Sequence, residues 1–239
     1  MDSEDNKKLT PKDAIIACLS TKSQLKSETF DVCLNVFNEF KDVLGEISND
    51  LNELLPDNLH RRIRLVYSDR GKFEAEIKFA DDILVFSMHT DIFQFDRNHP
   101  IWKNNYVKQD SNRAYCGIIS VYNFLTDSMK YNRTQDLGYL VARVFINKDH
   151  FFFVEGKRQK KQRTEIFGNE KLTRASIISI VESAILYTLS FDLLAPPFDL
   201  VKELSIEQMK AKIDFANTKT GKRLGFRYNS DDVLDRHED

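Results

Sequence analysis

Apolar residues recur in steps of three and four from Phe30 through Cys33, Phe37, Phe40, Leu44, Ile47, Leu51 and Leu54. That period places them on one stripe of a helix from about Ser27 to Leu55, roughly 40 Å long at ~1.5 Å per residue. Glu28, Asp31, Asn35, Asn38, Lys41, Asp42 and Glu46 fall on the other face, and Pro56-Asp57-Asn58 ends the helix. Upstream, Thr10-Pro11-Lys12-Asp13 offers a cap followed by proline at the first helical position, so a short helix starts there. Polar residues 20–27 then read as a linker. The spacing of the long stripe permits a coiled coil, and hence a homodimer through residues 28–55. The competing reading packs the same stripe on the protein's own sheet.

The period changes to two after residue 60. Phe73, Ala75, Ile77 and Phe79 alternate with Lys72, Glu74, Glu76 and Lys78, as in a half-solvated antiparallel hairpin. A strand around Ile63, Leu65 and Tyr67 precedes it, and ILVFSM follows, with a continuation through DIFQFD. Residues 97–113 have no period and form a polar excursion. AYCGIISVYNFL reads as a central strand in which Gly117 allows close approach or a bulge. Residues 137–158 form two apolar strands joined by the turn Asn147-Lys148-Asp149-His150. The later stretch TRASIISIVESAILYTLSFDLL is apolar round most of a helix, which predicts deep burial. Pro196-Pro197 stops it, Ser205 and Gln208 form a capping-box pattern for a helix to about Ala216, and Gly221 to Tyr228 supplies a short strand.

The expected fold is therefore α+β: a mostly antiparallel five- to six-stranded sheet packed by a long N-terminal helix and a buried C-terminal helix. Residues 1–9 are expected to be disordered and 229–239 to be an acidic tail. One domain spans 10–228, with helices in 11–55, the sheet in 61–158 and helices in 172–216. This order of elements resembles the ligand-sensing domains of the GAF and PAS types. The resemblance implies sensing or interaction, not catalysis.

Composition narrows the chemistry. The net charge is −2, so attraction to polyanions would need a local patch. Lys157, Arg158, Lys160, Lys161 and Arg163 form such a patch and would contact nucleic acid or another acidic partner. Cys18, Cys33 and Cys116 lack the spacing of a zinc site or a disulfide framework and are read as reduced and buried, which suits a cytoplasmic protein. No apolar run is long enough for a membrane span. No phosphate-binding glycine loop, GxSxG elbow or HExxH pair occurs, and no cofactor is expected.

Three constellations remain. Glu155-Gly156-Lys157 at a strand end resembles the metal-and-lysine half of restriction-endonuclease-like nucleases, which implies Mg²⁺-dependent phosphodiester cleavage. A turn at 147–150 puts Glu155 opposite Ala142, and the nearest carboxylate by sequence, Asp136, is then roughly 20 Å along at ~3.3 Å per residue. Asp127 is a further, off-pattern partner. His89 and Asp91, with Asp96 and His99 nearby, offer nitrogen and oxygen ligands to a metal, against a plain capping role. Trp102, Tyr106, Arg113, Tyr115, Arg133 and Arg143, with Phe93, Phe95, Tyr122 and Tyr131, could line a small-molecule pocket between sheet and excursion. The leading expectation is a non-catalytic ligand-sensing or interaction domain, with the nuclease and the nucleic-acid module as alternatives.

Overall fold

The computed structural model describes residues 10–134, 136–156, 164, 167–191, 198 and 206. The expectations for residues 1–9, the basic run 157–163, the 221–228 strand and the acidic tail lie outside them. So does nearly all of the 205–216 helix.

The helix start at Thr10 is a reciprocal cap. Thr10 Oγ1 accepts from the Asp13 amide at 3.2 Å, and Asp13 Oδ2 accepts from the Thr10 amide at 3.1 Å. From there α1 (Pro11–Cys18), a π-helical stretch (Leu19–Ser23) and α2 (Gln24–Leu54) run without a break. The expected linker at 20–27 is thus helical. The hydroxyls of Ser20 and Thr21 turn back onto the Ala17 carbonyl, and Ser27 onto Ser23. These polar side chains bond within the helix and do not interrupt it.

The α2 stripe is packed on the protein's own sheet. Val36 and Val43 join Cys33, Phe37, Phe40, Leu44 and Ile47 in the buried face. That wide face is what a helix lying on a sheet needs, and is broader than a coiled-coil seam. The face fades at its end, where Leu54 is 80% exposed.

All strand pairings are antiparallel. The strands are β1 (Val66–Asp69), β2 (Glu74–Phe79), β3 (Asp82–Met88), β4 (Phe93–Gln94), β5 (Tyr115–Leu125), β6 (Tyr139–Asn147) and β7 (Phe152–Gly156). The seven-stranded sheet runs β1-β2-β3-β5-β6-β7, and β4 adds to β5. Expectation and structure differ by β4, the two-residue remnant of the continuation through DIFQFD. Upstream of β1, residues Arg61–Ile63 make a 3₁₀ turn where strand was expected, because His60 Nδ1 accepts from the Arg62 amide at 3.2 Å and closes it.

One face of the sheet carries Ala75, Ile77, Phe79, Phe86, Val121, Val144, Ile146 and Val154 against α2 and α5 (Arg174–Leu189). The helix crosses closest at Gly117, where a β-carbon would fall 2.5 Å from Cys33 Sγ. The reverse face of β6 and β7 is covered by the excursion, through Ile101, Val107, Ala114, Phe145, Phe153 and Phe167. The excursion folds as turns at Pro100–Lys103 and Ser111–Ala114 flanking α3 (Asn105–Gln109). Residues Thr126–Lys130 add α4 after β5.

Candidate functional site

The hairpin that carries Glu155 is built on Asn147. Its Oδ1 accepts from the Asp149 and Phe151 amides at 3.1 and 3.0 Å. His150 takes φ 65°, so Lys148, Asp149 and His150 alone bridge the strands. A helical turn followed by one left-handed residue is a favoured three-residue connection. The connection is one residue shorter than the sequence suggested, so the register slips by one, and Glu155 stands opposite Arg143, not Ala142.

That slip decides the electrostatics. Arg143 Nε donates to Glu155 Oε2 at 3.0 Å, and its Nη2 bonds to the same oxygen. His99 Nε2 lies 3.8 Å from Glu155 Oε1. His99 Nδ1 accepts from the Ile101 amide at 3.3 Å, which fixes the proton on Nε2, facing the carboxylate. Its ring stacks on Phe95, centroids 4.5 Å apart. Both nitrogens and the carboxylate are therefore held in structural contacts. Asp136 is at the far end of β6, where its carboxylate accepts from Ser128 Oγ and lies 3.7 Å from Arg133. Asp127 is 4.0 Å from the same arginine. Lys157 is outside the described residues.

His89 and Asp91 meet as a cap. His89 Nδ1 accepts from the Asp91 amide at 3.0 Å, and the ring sits edge-on to Phe93. Among the described residues, no group of three His, Cys, Asp or Glu side chains is placed to hold a metal ion.

The pocket residues fall into three places. Tyr106, Arg113 and Trp102 belong to the layer over β6 and β7. Tyr106 donates to Asp149 Oδ2 at 2.6 Å and accepts from Asn147 Nδ2 at 2.9 Å. Burial first, then the hydrogen bond to Asp149, holds the phenol's pKa above its ordinary value. Arg113 donates to the Tyr106 carbonyl at 2.9 Å, with its guanidinium 4.4 Å from the Tyr106 ring centre. Trp102 Nε1 donates to the Asp96 carbonyl at 2.7 Å. Phe95, Phe145 and Phe153 meet with centroids 4.8 to 5.7 Å apart, and Phe167 closes on Phe153 at 5.4 Å. The rings fill the space between excursion and sheet with one another. Arg143 is on the rim of this layer. Tyr115 lies apart with Leu25 and Ile92, and Lys22 and Lys26 lie 6.0 and 5.8 Å from its ring centre. Arg133 is at the β6 entry with Asp136, while Tyr122 and Tyr131 are exposed.

The concave apolar surface is on the other side of the molecule. A groove of about 540 Å³ opens between the ends of α2 and α5. Leu51, Leu54 and Leu55 form one wall, Ile185, Leu186 and Leu189 the other, with Ile63, Leu65, Phe79 and Ala80 between them. Glu182 is its acidic lining residue. The expected buried helix is α5, with Ile177, Ile180, Val181, Ala184, Ile185 and Tyr187 buried, while Leu186 is 66% and Leu189 53% exposed along the groove. The sequence shows α5 apolar round most of its circumference, but periodicity does not say which side finds a cover.

Comparison with known proteins leaves this geometry to speak for itself: no family model, no curated protein and no solved structure matches the chain. The resemblance to GAF and PAS domains thus rests on element order alone. No helix among the described residues is long and apolar enough to cross a membrane.

Proposed function

We propose that this chain is a non-catalytic interaction domain that accepts an amphipathic helix in the groove between α2 and α5. The observation that carries the reading is the groove itself: apolar walls from two helices, with Leu54, Leu186 and Leu189 exposed along it. A groove between two helices is a common seat for the apolar face of a third. Arg61 and Arg62 are exposed on the turn that carries Ile63, while Glu182 is in the lining itself, so the apolar walls and not charge set the preference.

The pairing of Glu155 with Arg143 and the capping role of His99 weigh against chemistry at the hairpin end. The nuclease and nucleic-acid alternatives depend on Lys157 and the basic run. The α2 stripe that would have made a dimer seam is already packed on the sheet. Cys33 and Cys116 are free, fully buried thiols, whereas Cys18, expected to be buried, is exposed; three unpaired cysteines support a reducing, cytoplasmic setting.

The test titrates a labelled synthetic helical peptide, with leucines four residues apart on an otherwise polar surface, up to millimolar concentration. Saturable binding that Leu186→Glu weakens at least tenfold, with the far-ultraviolet circular dichroism unchanged, supports the reading. Equal affinity for both chains, or none for either, overturns it.

A further inference from the structure

Two uncovered apolar surfaces lie at opposite ends of the rod made by α1 and α2. We propose that they cover each other between two copies of this chain: the α1 arm of one copy seats in the groove of the other, and the exchange is reciprocal. The inference rests on the reading of the groove as a helix acceptor and names its occupant.

The arm is the part of the rod that leaves the body. Every residue from Thr10 to Gln24 is exposed, and burial starts at Leu25, which packs with Ile92 and Tyr115. Within the exposed stretch Ile15, Ile16 and Leu19 are 60, 55 and 60% exposed. At ~100° per residue the three fall within about a third of the helix circumference. That is an apolar stripe without a cover among the described residues. A helix as short as α1 is marginal in water unless packing covers its apolar face.

The chain's own groove is out of the arm's reach. Pro11 to Leu54 runs as one helix, so roughly 55 Å of it, at ~1.5 Å per residue, separates Ile16 from Leu54. The arm therefore fits only the groove of another copy. Each copy has one arm to give and one groove to fill, and a pair related by a two-fold axis satisfies both.

The two surfaces match in kind and in extent. The arm offers two isoleucines and a leucine to walls of leucine and isoleucine. The charged residue in the groove's lining is Glu182, and Lys12, one turn before Ile15 and Ile16 on the same side of the arm, brings the opposite charge. Such a pair sets direction more than affinity. At roughly 180 Å² per fully exposed leucine or isoleucine, the uncovered parts of the three arm residues and of Leu54, Ile63, Leu186 and Leu189 come to roughly 1,500 Å² over both sites, inside the ~1,200–2,000 Å² of a stable interface.

The experiment uses the full chain. Sedimentation equilibrium from micromolar to millimolar concentration should show a monomer–dimer equilibrium. Ile16→Glu and Leu186→Glu, both at exposed positions, should each weaken the dimer at least tenfold with the circular dichroism unchanged. Leu19→Glu repeats the arm test should Ile16→Glu fail to fold. A nitroxide on the exposed thiol of Cys18, mixed with an isotope-labelled chain carrying Cys18→Ser, should broaden the amides of Leu54, Leu186 and Leu189 in that chain. Within one chain Cys18 is roughly 50 Å from Leu54 along the helix, so the broadening reports the other copy. A monomer at every concentration overturns the exchange; if that monomer binds the synthetic amphipathic peptide the groove reading survives, and if it does not, both fall. A dimer that withstands Ile16→Glu, or that leaves those amides sharp, also overturns the exchange, as do assemblies that grow beyond two copies.

Discussion

Replacing Gly117 with alanine probes the seat of α2 on the sheet. A β-carbon there would lie 2.5 Å from Cys33 Sγ and 2.7 Å from Cys33 Cβ. Two effects oppose each other. Glycine in a strand interior costs about 0.5–1 kcal/mol relative to alanine, so backbone preference alone predicts a gain. Overpacking a filled core costs about 1–3 kcal/mol, and Cys33 is fully buried on a long helix that must shift as a unit. The steric cost should win, leaving a net loss of about 1–2 kcal/mol. Urea unfolding followed by circular dichroism should show a midpoint lowered by about 0.5 M with the slope unchanged. Adding Cys33→Ala removes Sγ but leaves Cβ, so it should restore only part of the loss. A Gly117→Ala midpoint at or above native would show that α2 does not lie where described.

Phe153→Ala should cost about 3–5 kcal/mol, because its ring is the common partner of Phe95, Phe145 and Phe167; a melting temperature within a degree or so of native would refute that. Stability should also fall in alkali. Burial pushes the Cys33 thiol from 9.0 up to about 12, and Tyr106 is raised above 10.0. Groups raised in the folded state stabilise fully below their unfolded values and lose that contribution as pH climbs past them, at up to ~1.4 kcal/mol per pH unit for the buried Cys33 thiol and less for the half-buried Tyr106 phenol, which solvent screens. The urea midpoint should therefore drop from about pH 9 upward, less steeply in Cys33→Ala, and a flat profile would contradict the burial of Cys33. Millimolar Mg²⁺ should leave the melting temperature of the native chain unchanged, and a rise that Glu155→Gln abolishes would revive a metal site at the hairpin end.

The architecture was legible where periodicity was long. Alternation through β2 and the Phe-rich stripe of α2 follow directly from which side chains need burial. Gly117 could be read as a close approach or a bulge, and the 2.5 Å from its β-carbon position to Cys33 Sγ decides for the close approach. The excursion was opaque because its order comes from single caps. His99 accepts from Ile101, Asn104 from Tyr106 and Asp110 from Asn112, each two residues on. A polar residue two positions before a turn is a real but short signal, and the histidine among them also admits a reading as a ligand. The hairpin register was missed for a related reason. His150 adopts a left-handed conformation that glycine or asparagine would have announced. The groove was not legible at all, since its walls come from Leu54 and Leu186, whose exposure depends on where two distant helices end relative to the sheet.

Amide chemical-shift mapping of the full chain with the amphipathic peptide tests the central claim where it stands. The account predicts perturbations concentrated at Leu54, Ile63, Leu186 and Leu189. Shifts confined to residues 95–114 and the 147–156 hairpin would return the binding surface to the aromatic layer and contradict it.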